Sequence, residues 1–525
     1  IVSGATFAIL TWNSTMIKLG INTNCFTINY AKGNNISGSL KLINEEDLIS
    51  NGKFTIKEGV GVSGVNIGIK STCSIEGYGN ILLNITNISS VFTTGDSKGA
   101  LKYAVLKNTS TITDPTQIST TSLLNQSFDI EKKGSITTSG TLKLLTKQLS
   151  NTELYKYIIV IYVDNNLAGN DVTSATFQGN ISADATQGKA PLGNAATYIT
   201  TLYANSDKTE VTNNGITYNQ ATSVGLMNDR LGSMSTGIDA GNIRYYGASP
   251  NNYIYFNCDD YSNQTSSTCE VWRIIGVFEG KVKIMRNESI GGYSWDNKDK
   301  TTGAEHANGK NDWTTARLMK LLNPSDYYEV DSNDNGNGQS LYWNSQSGTC
   351  FAGEDNATKA CDFTSTGLKN DTTRNMILES TYSLLGWNND QIYSDQIYNY
   401  ERTTGKVYNT TRPTSWPGKI ALAYPSDYGY AADLSVCQKT LYYYADGTCT
   451  SNNWMEAIMA PNYGWLLTPS SSYSMDVWYV NRGGGVRNDS STYVINGVTP
   501  VLYLGSELEI KAGDGLNSAP YQLSA

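Results

Sequence analysis

Charged residues are scarce in this chain of 525 residues, and their scarcity narrows the classes of protein to which it can belong. Asp, Glu, Lys and Arg make up 16% of the sequence, against about a quarter in most soluble domains. The net charge is -9, and no stripe of Lys and Arg runs along the chain. Because nucleic-acid binding needs clustered cations against the phosphates, we expect no nucleic-acid partner.

Long apolar runs are absent as well. No stretch reaches the roughly 18 apolar residues that cross a bilayer, so we expect no membrane span in this chain. The chain does not begin with Met, which suggests that an upstream segment was removed. A cell-surface anchor is therefore expected upstream of Ile1, unless other molecules hold the protein in place.

Histidine is almost missing, since His306 is the only one. It lies in a polar loop sequence, where a surface histidine is the simpler interpretation than a general base. Paired-carboxylate hydrolysis would leave no trace in a sequence, but no pair of acidic residues stands out. We therefore expect no enzyme activity, no catalytic residue and no cofactor.

The eight cysteines indicate the compartment. Three closely spaced pairs, Cys258 with Cys269, Cys350 with Cys361 and Cys437 with Cys449, favour disulfides between neighbours. Cys25 and Cys73 remain to pair in the first third. The alternative is free or metal-bound thiols, but the chain has no CxxC motif of the kind that binds zinc. Disulfides indicate an oxidising, extracellular location at the cell surface.

Residues 1–187 carry the signals of an antiparallel β-sandwich. Short β-rich runs alternate with clusters of Asn, Gly and Ser. These runs lie at 25–30, 39–43, 80–85, 101–106, 157–163 and 175–182.

The first twelve residues form an uncharged strand with apolar residues on both alternate faces. We expect the apolar side chains of this strand to pack either in its own sandwich or in that of a neighbouring molecule. The residues that would make this contact are Ala5, Phe7, Ile9, Leu10 and Trp12.

This first region resembles the TasA/camelysin class of secreted biofilm-fibre proteins. The resemblance rests on the small-plus-aromatic strand ATF at 5–7, the amide- and Thr-rich sandwich, and the late strand FQGNI at 177–181. It implies polymerisation by donation of the N-terminal strand to the next subunit. Strand 1–12 is then the donor, and identical subunits are the partners.

Residues 188–243 are predicted to be a linker with a short helix at 195–204, followed by an α+β domain at 244–525. The second domain begins with a hairpin predicted from the runs at 270–278 and 281–286. Helices are predicted at 311–324, where Asp312 caps and Pro324 stops the amphipathic run, and at 372–385.

This second region is similar to a C-type-lectin-like/formylglycine-generating-enzyme-like module of surface proteins in low-GC Gram-positive bacteria. The similarity lies in the runs WRIIGVF at 272–278, YSW at 293–295, WLLTP at 465–469, WYVN at 478–481 and GVTPVLY at 497–503. It implies a small antiparallel sheet, two helices and long loops stapled by the local disulfides. The chain as a whole is therefore predicted to be mostly β.

The best ligand-binding candidate is the stretch 478–493, because aromatic faces stack on sugars or peptides while Arg and Asn donate directional hydrogen bonds. The candidate residues are Trp478, Tyr479, Asn481, Arg482, Arg487 and Tyr493. The alternative is that Trp478 and Val480 are core residues of a strand and the rest is a turn.

A second candidate is a calcium loop, in which Asp331, Asn333 and Asn335 supply the oxygens of positions 1, 3 and 5. Position 12 holds Tyr342 instead of a bidentate acid, so a polar surface turn is favoured and no metal is predicted.

Two functions follow from these patterns. The first is a structural subunit of an extracellular filament, assembled by strand donation and displaying a lectin-like module. The second is a monomeric surface adhesin or carbohydrate-binding protein, in which strand 1–12 pairs within its own sandwich. Its ligand would be a host or microbial glycan or protein.

Overall fold

The computed structural model describes residues 8–12, 26–34, 36–71, 77–150, 153–169, 172, 174–187, 191–231, 241–296, 309–324, 340–352, 357–491 and 495–524. The chain divides into two compact units, Ile1–Pro191 and Leu192–Ala525. Strands dominate both units, which confirms the mostly-β class that the sequence predicts.

The first unit contains thirteen described strands and one short helix. The strands are β1 (Ala8–Trp12), β2 (Phe26–Lys32), β3 (Ser37–Leu40), β4 (Leu42–Ile43), β5 (Ile49–Ser50), β6 (Lys53–Thr55), β7 (Gly61–Ser71), β8 (Gly77–Ile88), β9 (Leu101–Lys107), β10 (Ser127–Ser135), β11 (Gly140–Leu149), β12 (Leu154–Asp164) and β13 (Thr176–Gln187). Helix α1 (Glu45–Leu48) lies between β4 and β5.

These strands form two sheets that share a core. One sheet has the order β11-β8-β13-β1-β3, and the other has the order β2-β7-β12-β9-β10-β6-β5 with β4 beside β12. Alternate residues of the strands point inward, as the period of two requires. The shared core includes Ile67 of β7, Leu83 of β8, Val105 of β9, Ile159 of β12 and Phe177 of β13.

The opposite face of the second sheet is buried too. Ile158, Val160 and Tyr162 of β12 pack against the loop residues Ile118 and Leu123. Strand β12 is therefore apolar on both faces, which explains its unbroken run of hydrophobic residues.

Strand β1 lies inside the first sheet, between two strands of its own chain. It runs parallel to β13, with Leu10 opposite Phe177, and antiparallel to β3, with Ile9 opposite Ser39. Ala5 and Phe7, the other predicted contact residues of this strand, lie outside the described residues.

The second unit contains the remaining described strands. They are β14 (Gly193–Asn194), β15 (Thr209–Asn213), β16 (Ile216–Ala221), β17 (Leu226–Asn228), β18 (Ile243–Tyr245), β19 (Tyr253–Phe256), β20 (Glu270–Phe278), β21 (Lys281–Arg286), β22 (Gly292–Ser294), β23 (Ser347–Phe351), β24 (Thr358–Asp362), β25 (Ile377–Leu378), β26 (Ser380–Ser383), β27 (Ser415–Gly418), β28 (Ile420–Ala421), β29 (Trp465–Pro469), β30 (Asp476–Val480), β31 (Val486–Ser491), β32 (Ile495–Gly497), β33 (Val501–Leu504), β34 (Glu509–Ala512) and β35 (Gln522–Leu523).

The helices of this unit are short. They are α2 (Ala195–Asn205), α3 (Arg317–Leu322), α4 (Asp371–Asn375), α5 (Ser394–Asn399), α6 (Pro425–Tyr430), α7 (Gly447–Thr450) and α8 (Glu456–Met459). A π-helical turn, Tyr400–Thr404, follows α5 directly.

A large sheet with the order β15-β16-β17-β18-β20-β21-β33-β25 separates the two larger hydrophobic clusters of the second unit. Trp272, Ile274 and Ile284 pack on one face, whereas Ile275 and Met285 pack on the other. The predicted hairpin has the same bounds as β20 and β21.

Part of the predicted linker contributes strands to the sheets of the second unit. Strands β15, β16 and β17 join the sheet through the pairing of β17 with β18, and β14 pairs with β34. Residues 188–190 and 232–240 lie outside the described residues.

Three disulfides staple the second unit. They join Cys258 to Cys269, Cys350 to Cys361 and Cys437 to Cys449, as the sequence predicts. Cys25 and Cys73 lie outside the described residues.

Candidate functional site

Residues 481–485 of the predicted binding stretch form a tight turn between β30 and β31. Asn481 holds this turn together, because its Oδ1 accepts hydrogen bonds from the backbone N–H groups of Gly483 and Gly485, each at 3.0 Å. Gly484 has a positive φ of 86°, which a glycine adopts without strain. The Asn481 side-chain oxygen is therefore engaged in the turn.

Trp478 packs in the core instead of facing a ligand. Its side chain is fully buried, and its Nε1 donates to the backbone oxygen of Trp387 at 3.2 Å. Val480, two residues on, is buried on the same side of β30. The period-two alternation of a strand that is covered on both faces accounts for this burial, and it removes Trp478 from the set of ligand-facing candidates.

The structure places the other candidates around the turn. Arg482 is exposed, with its guanidinium 5.4 Å from the ring centre of Tyr463, and that ring lies 6.5 Å from the ring of Tyr479. Arg487 lies over the ring of Tyr442 at 3.7 Å and donates to its backbone oxygen at 2.8 Å. Arg482 and Tyr479 thus both lie near the ring of Tyr463, whereas Arg487 packs against Tyr442.

Several other candidates lie outside the described residues. They are Tyr493, His306 and the three calcium candidates Asp331, Asn333 and Asn335. Within the described part of the chain, no group of three or more His, Cys, Asp or Glu residues is arranged to hold a metal ion.

A cavity of about 830 Å³ with mixed polar and apolar walls lies elsewhere in the second unit. Its walls combine hydroxyl, amide and tyrosine side chains with a few charges. Its lining residues are Ile216, Leu231, Asn242, Phe278, Glu279, Lys281, Ser380, Thr381, Tyr382, Ser383, Leu385, Asp395, Gln396, Tyr398, Asn399, Arg402, Thr403, Thr414, Ser415, Tyr424 and Tyr503.

Ser380 is the unusual residue in this wall. Its side chain is only 7% exposed, and its Oγ has no hydrogen-bond partner among the described residues. Because a buried hydroxyl without a partner is costly, a ligand or water that hydrogen-bonds to it would be stabilised.

A buried ion network lies next to the cavity. Arg244 and Lys283 occupy the middle positions of β18 and β21, so the alternation of the strands places both on the face of the sheet away from Ile243 and Ile284. Asp427 of α6 accepts from Arg244 Nη1 at 2.9 Å and from the ammonium of Lys283. Asp229 accepts from Arg244 Nε at 2.6 Å.

The charges in this network shift one another's ionisation. Burial alone would raise the pKa of Asp427, but the charges of Lys283 and Arg244 outweigh it and lower the pKa to about 2. Burial lowers the pKa of Lys283 to about 8, against the attraction of Asp427. At neutral pH both partners are therefore charged, and the network is a true ion cluster.

The network contacts several residues of the cavity wall. Asn242 donates to Asp229 Oδ2 at 2.9 Å and also to the hydroxyl of Tyr398 at 3.1 Å. Asn242 and Tyr398 line the cavity. The ammonium of Lys283 lies 4.7 Å from the ring centre of Tyr424, another wall residue. The buried charges thus fix part of the wall.

Arg402 is the cavity-lining cation next to this network. Its Nη1 donates to Glu401 Oε2 at 3.3 Å, while Glu401 also accepts from the backbone N–H of Ser426 at 3.0 Å and from its hydroxyl. Burial raises the pKa of Glu401 to about 7, against the opposing effects of Arg402 and Ser426.

Sequence reasoning missed this cavity because no local pattern marks it. Its residues lie in separate segments between Ile216 and Tyr503, and only the folded sheet brings them together. The one available signal concerns the neighbouring ion network: Lys283 is a single charge between Val282 and Ile284 in a β-rich run, where alternation predicts burial on one face.

No protein-family model, curated protein or solved structure matches the chain.

We expect Asp427→Asn to lower the free energy of unfolding of the second unit by about 3–5 kcal/mol, because it leaves Lys283 buried without its counter-charge. Nine of the ten tryptophans lie in this unit, so urea unfolding followed by tryptophan fluorescence reports on it. Asp259→Asn, which removes an exposed partner of Lys369, is the matched control and should cost under about 1 kcal/mol.

The double variant Asp427→Asn/Lys283→Met should regain part of the loss, because it removes the unpaired ammonium together with its partner. Equal unfolding midpoints for Asp427→Asn and Asp259→Asn would contradict a stabilising role for the network.

Proposed function

We propose that this chain is an extracellular binding protein whose second unit takes up a small polar ligand in the cavity. The observation that carries this proposal is the buried, unpartnered hydroxyl of Ser380 in the wall of this cavity. The volume, about 830 Å³, lies within the range of about 300–1,000 Å³ that small-molecule sites occupy.

The proposed location rests on covalent structure. Three disulfides in the second unit are compatible with a secreted or extracellular protein. None of the helices in the described part of the chain is long and apolar enough to cross a membrane. The proposed role of the first unit is that of a rigid β scaffold, supported by its two-sheet core.

The position of β1 is compatible with a monomeric binding protein. A monomeric adhesin is expected to pair this strand within its own sandwich, and β1 lies between β13 and β3 of the same chain.

We expect Ser380→Val to weaken binding of a small polar ligand about fivefold, because one hydrogen bond of about 1 kcal/mol is lost while the strand keeps its shape. Saturation-transfer NMR with a panel of neutral and acidic monosaccharides measures the effect on the full chain. Ser451→Val, at an exposed residue away from the cavity, is the matched control.

Two results would overturn the assignment of the cavity as the binding site. One is that no monosaccharide of the panel binds. The other is that Ser380→Val binds as tightly as Ser451→Val.

A second candidate function is the filament subunit, and one observation favours it. Strand β1 is held by backbone ladders on both sides, and a second copy could form the same ladders in exchange. Exchange between copies would then replace each intramolecular hydrogen bond with an identical intermolecular one. The cost would be mainly the entropy of association.

Strand exchange predicts cross-links between chains. Because Ile9 lies opposite Ser39, a mixture of Ile9→Cys chains and Ser39→Cys chains should form disulfide-linked dimers on mild oxidation, measured by non-reducing electrophoresis. Ile9→Cys mixed with Ser135→Cys, in a strand of the other sheet, is the control and should stay monomeric.

If only the double variant Ile9→Cys/Ser39→Cys forms this disulfide, and it does so within one chain, the strand stays in its own sheet and the filament function is wrong.

A further inference from the structure

We propose that the cavity of the second unit recognises the carboxylate of a sugar acid and that Arg402 is the residue that binds it. This inference rests on the proposed binding function and adds the chemical class of the ligand.

Arg402 has hydrogen-bonding capacity to spare. A guanidinium carries five N–H donors, and among the described residues Arg402 uses one of them, on Glu401. The Arg402 side chain is 22% exposed and lines the cavity. A planar guanidinium with unused donors matches a carboxylate, since the two can form parallel hydrogen bonds.

The guanidinium is also held in place before any ligand arrives. Its carbon Cζ lies 3.8 Å from the ring centre of Tyr424 and 5.0 Å from that of Tyr398. Glu401, its carboxylate neighbour, is itself anchored by two hydrogen bonds from Ser426. A fixed arginine loses little entropy on binding, which favours affinity.

The other charged residues of the wall already have partners. The Nζ of Lys281 lies 3.8 Å from Oε2 of Glu279, and both residues line the cavity. Asp395 accepts hydrogen bonds from Asn214 on both of its oxygens, each at 3.1 Å. Of the two cations among the described lining residues, Arg402 is the one whose planar guanidinium can form paired hydrogen bonds with a carboxylate.

The rest of the wall offers a sugar both hydrogen-bonding groups and apolar surface. Ser380 offers an unpartnered hydroxyl, and Thr381, Ser383 and Gln396 add hydroxyl and amide groups that can both donate and accept. The volume of about 830 Å³ accommodates a ligand larger than acetate or lactate. A carboxylate on a polyhydroxylated ring satisfies both parts of the wall.

The test compares glucuronate with glucose, which differ in the carboxylate, by titration calorimetry of the full chain at low salt. Glucuronate should bind about tenfold more tightly than glucose. Arg402→Met should remove this preference, and Arg402→Lys should keep only part of it, because an ammonium cannot form the paired hydrogen bonds.

Two controls separate Arg402 from general charge effects. Lys369→Met removes a cation outside the cavity that pairs with Asp259 at 3.0 Å, and Arg482→Met removes the surface arginine whose guanidinium lies 5.4 Å from the ring centre of Tyr463. Both should leave the glucuronate affinity within about twofold of the unaltered chain. Tryptophan fluorescence verifies that each variant is folded, and Arg402→Lys carries the test if Arg402→Met does not fold.

The outcomes distinguish this inference from the function on which it rests. Equal affinity for glucuronate and glucose, with Ser380→Val weakening both, overturns the carboxylate assignment and leaves the binding function intact. Competition by equimolar inorganic phosphate also overturns it, since it would indicate a general anion site. If neither sugar nor any other member of the panel binds at millimolar concentration, both proposals fail.

Discussion

The second unit depends on one buried carboxylate, Asp427, that bridges two buried cations. Arg244 and Lys283 come from neighbouring parts of the large sheet, and Asp427 comes from a helix far along the chain. Burying these charges costs solvation energy, so the cluster adds little net stability compared with an apolar core. What the cluster does contribute is position, because Asp427 ties α6 to both cations of the sheet.

This positioning extends to the cavity through α6. The backbone N–H of Tyr424 donates to Asp427 Oδ2 at 3.0 Å, which fixes the start of the helix and the Tyr424 ring in the wall. Ser426, two residues after Tyr424, donates its backbone N–H to Glu401 at 3.0 Å and so positions the π-helical turn that carries Arg402. The ion network, the helix start and the binding residue therefore form one chain of contacts.

The sequence predicts the elements that have strong local signals. Its predictions are wrong where contacts between distant segments determine the secondary structure. The hairpin of β20 and β21 and the three short disulfides follow from local pattern and spacing. The helix expected at 372–385 stops at Asn375, because Ile377 and Leu378 pair with β33 and the next residues pair with β27. The helix expected at 311–324 begins only at Arg317, since Trp313 first packs against Trp295. The cavity has no local signal at all.

The ionisation of Asp427 tests this account most directly. Carbon-13 labelling of aspartate, with Asp427→Asn to assign the resonance, allows NMR titration of this carboxyl in the full chain. A folded-state pKa of about 2 predicts a constant chemical shift from pH 8 down to about pH 3. An inflection at about pH 4 or above, the range of an ordinary aspartate, would contradict the account, since the network would then not hold this carboxylate charged.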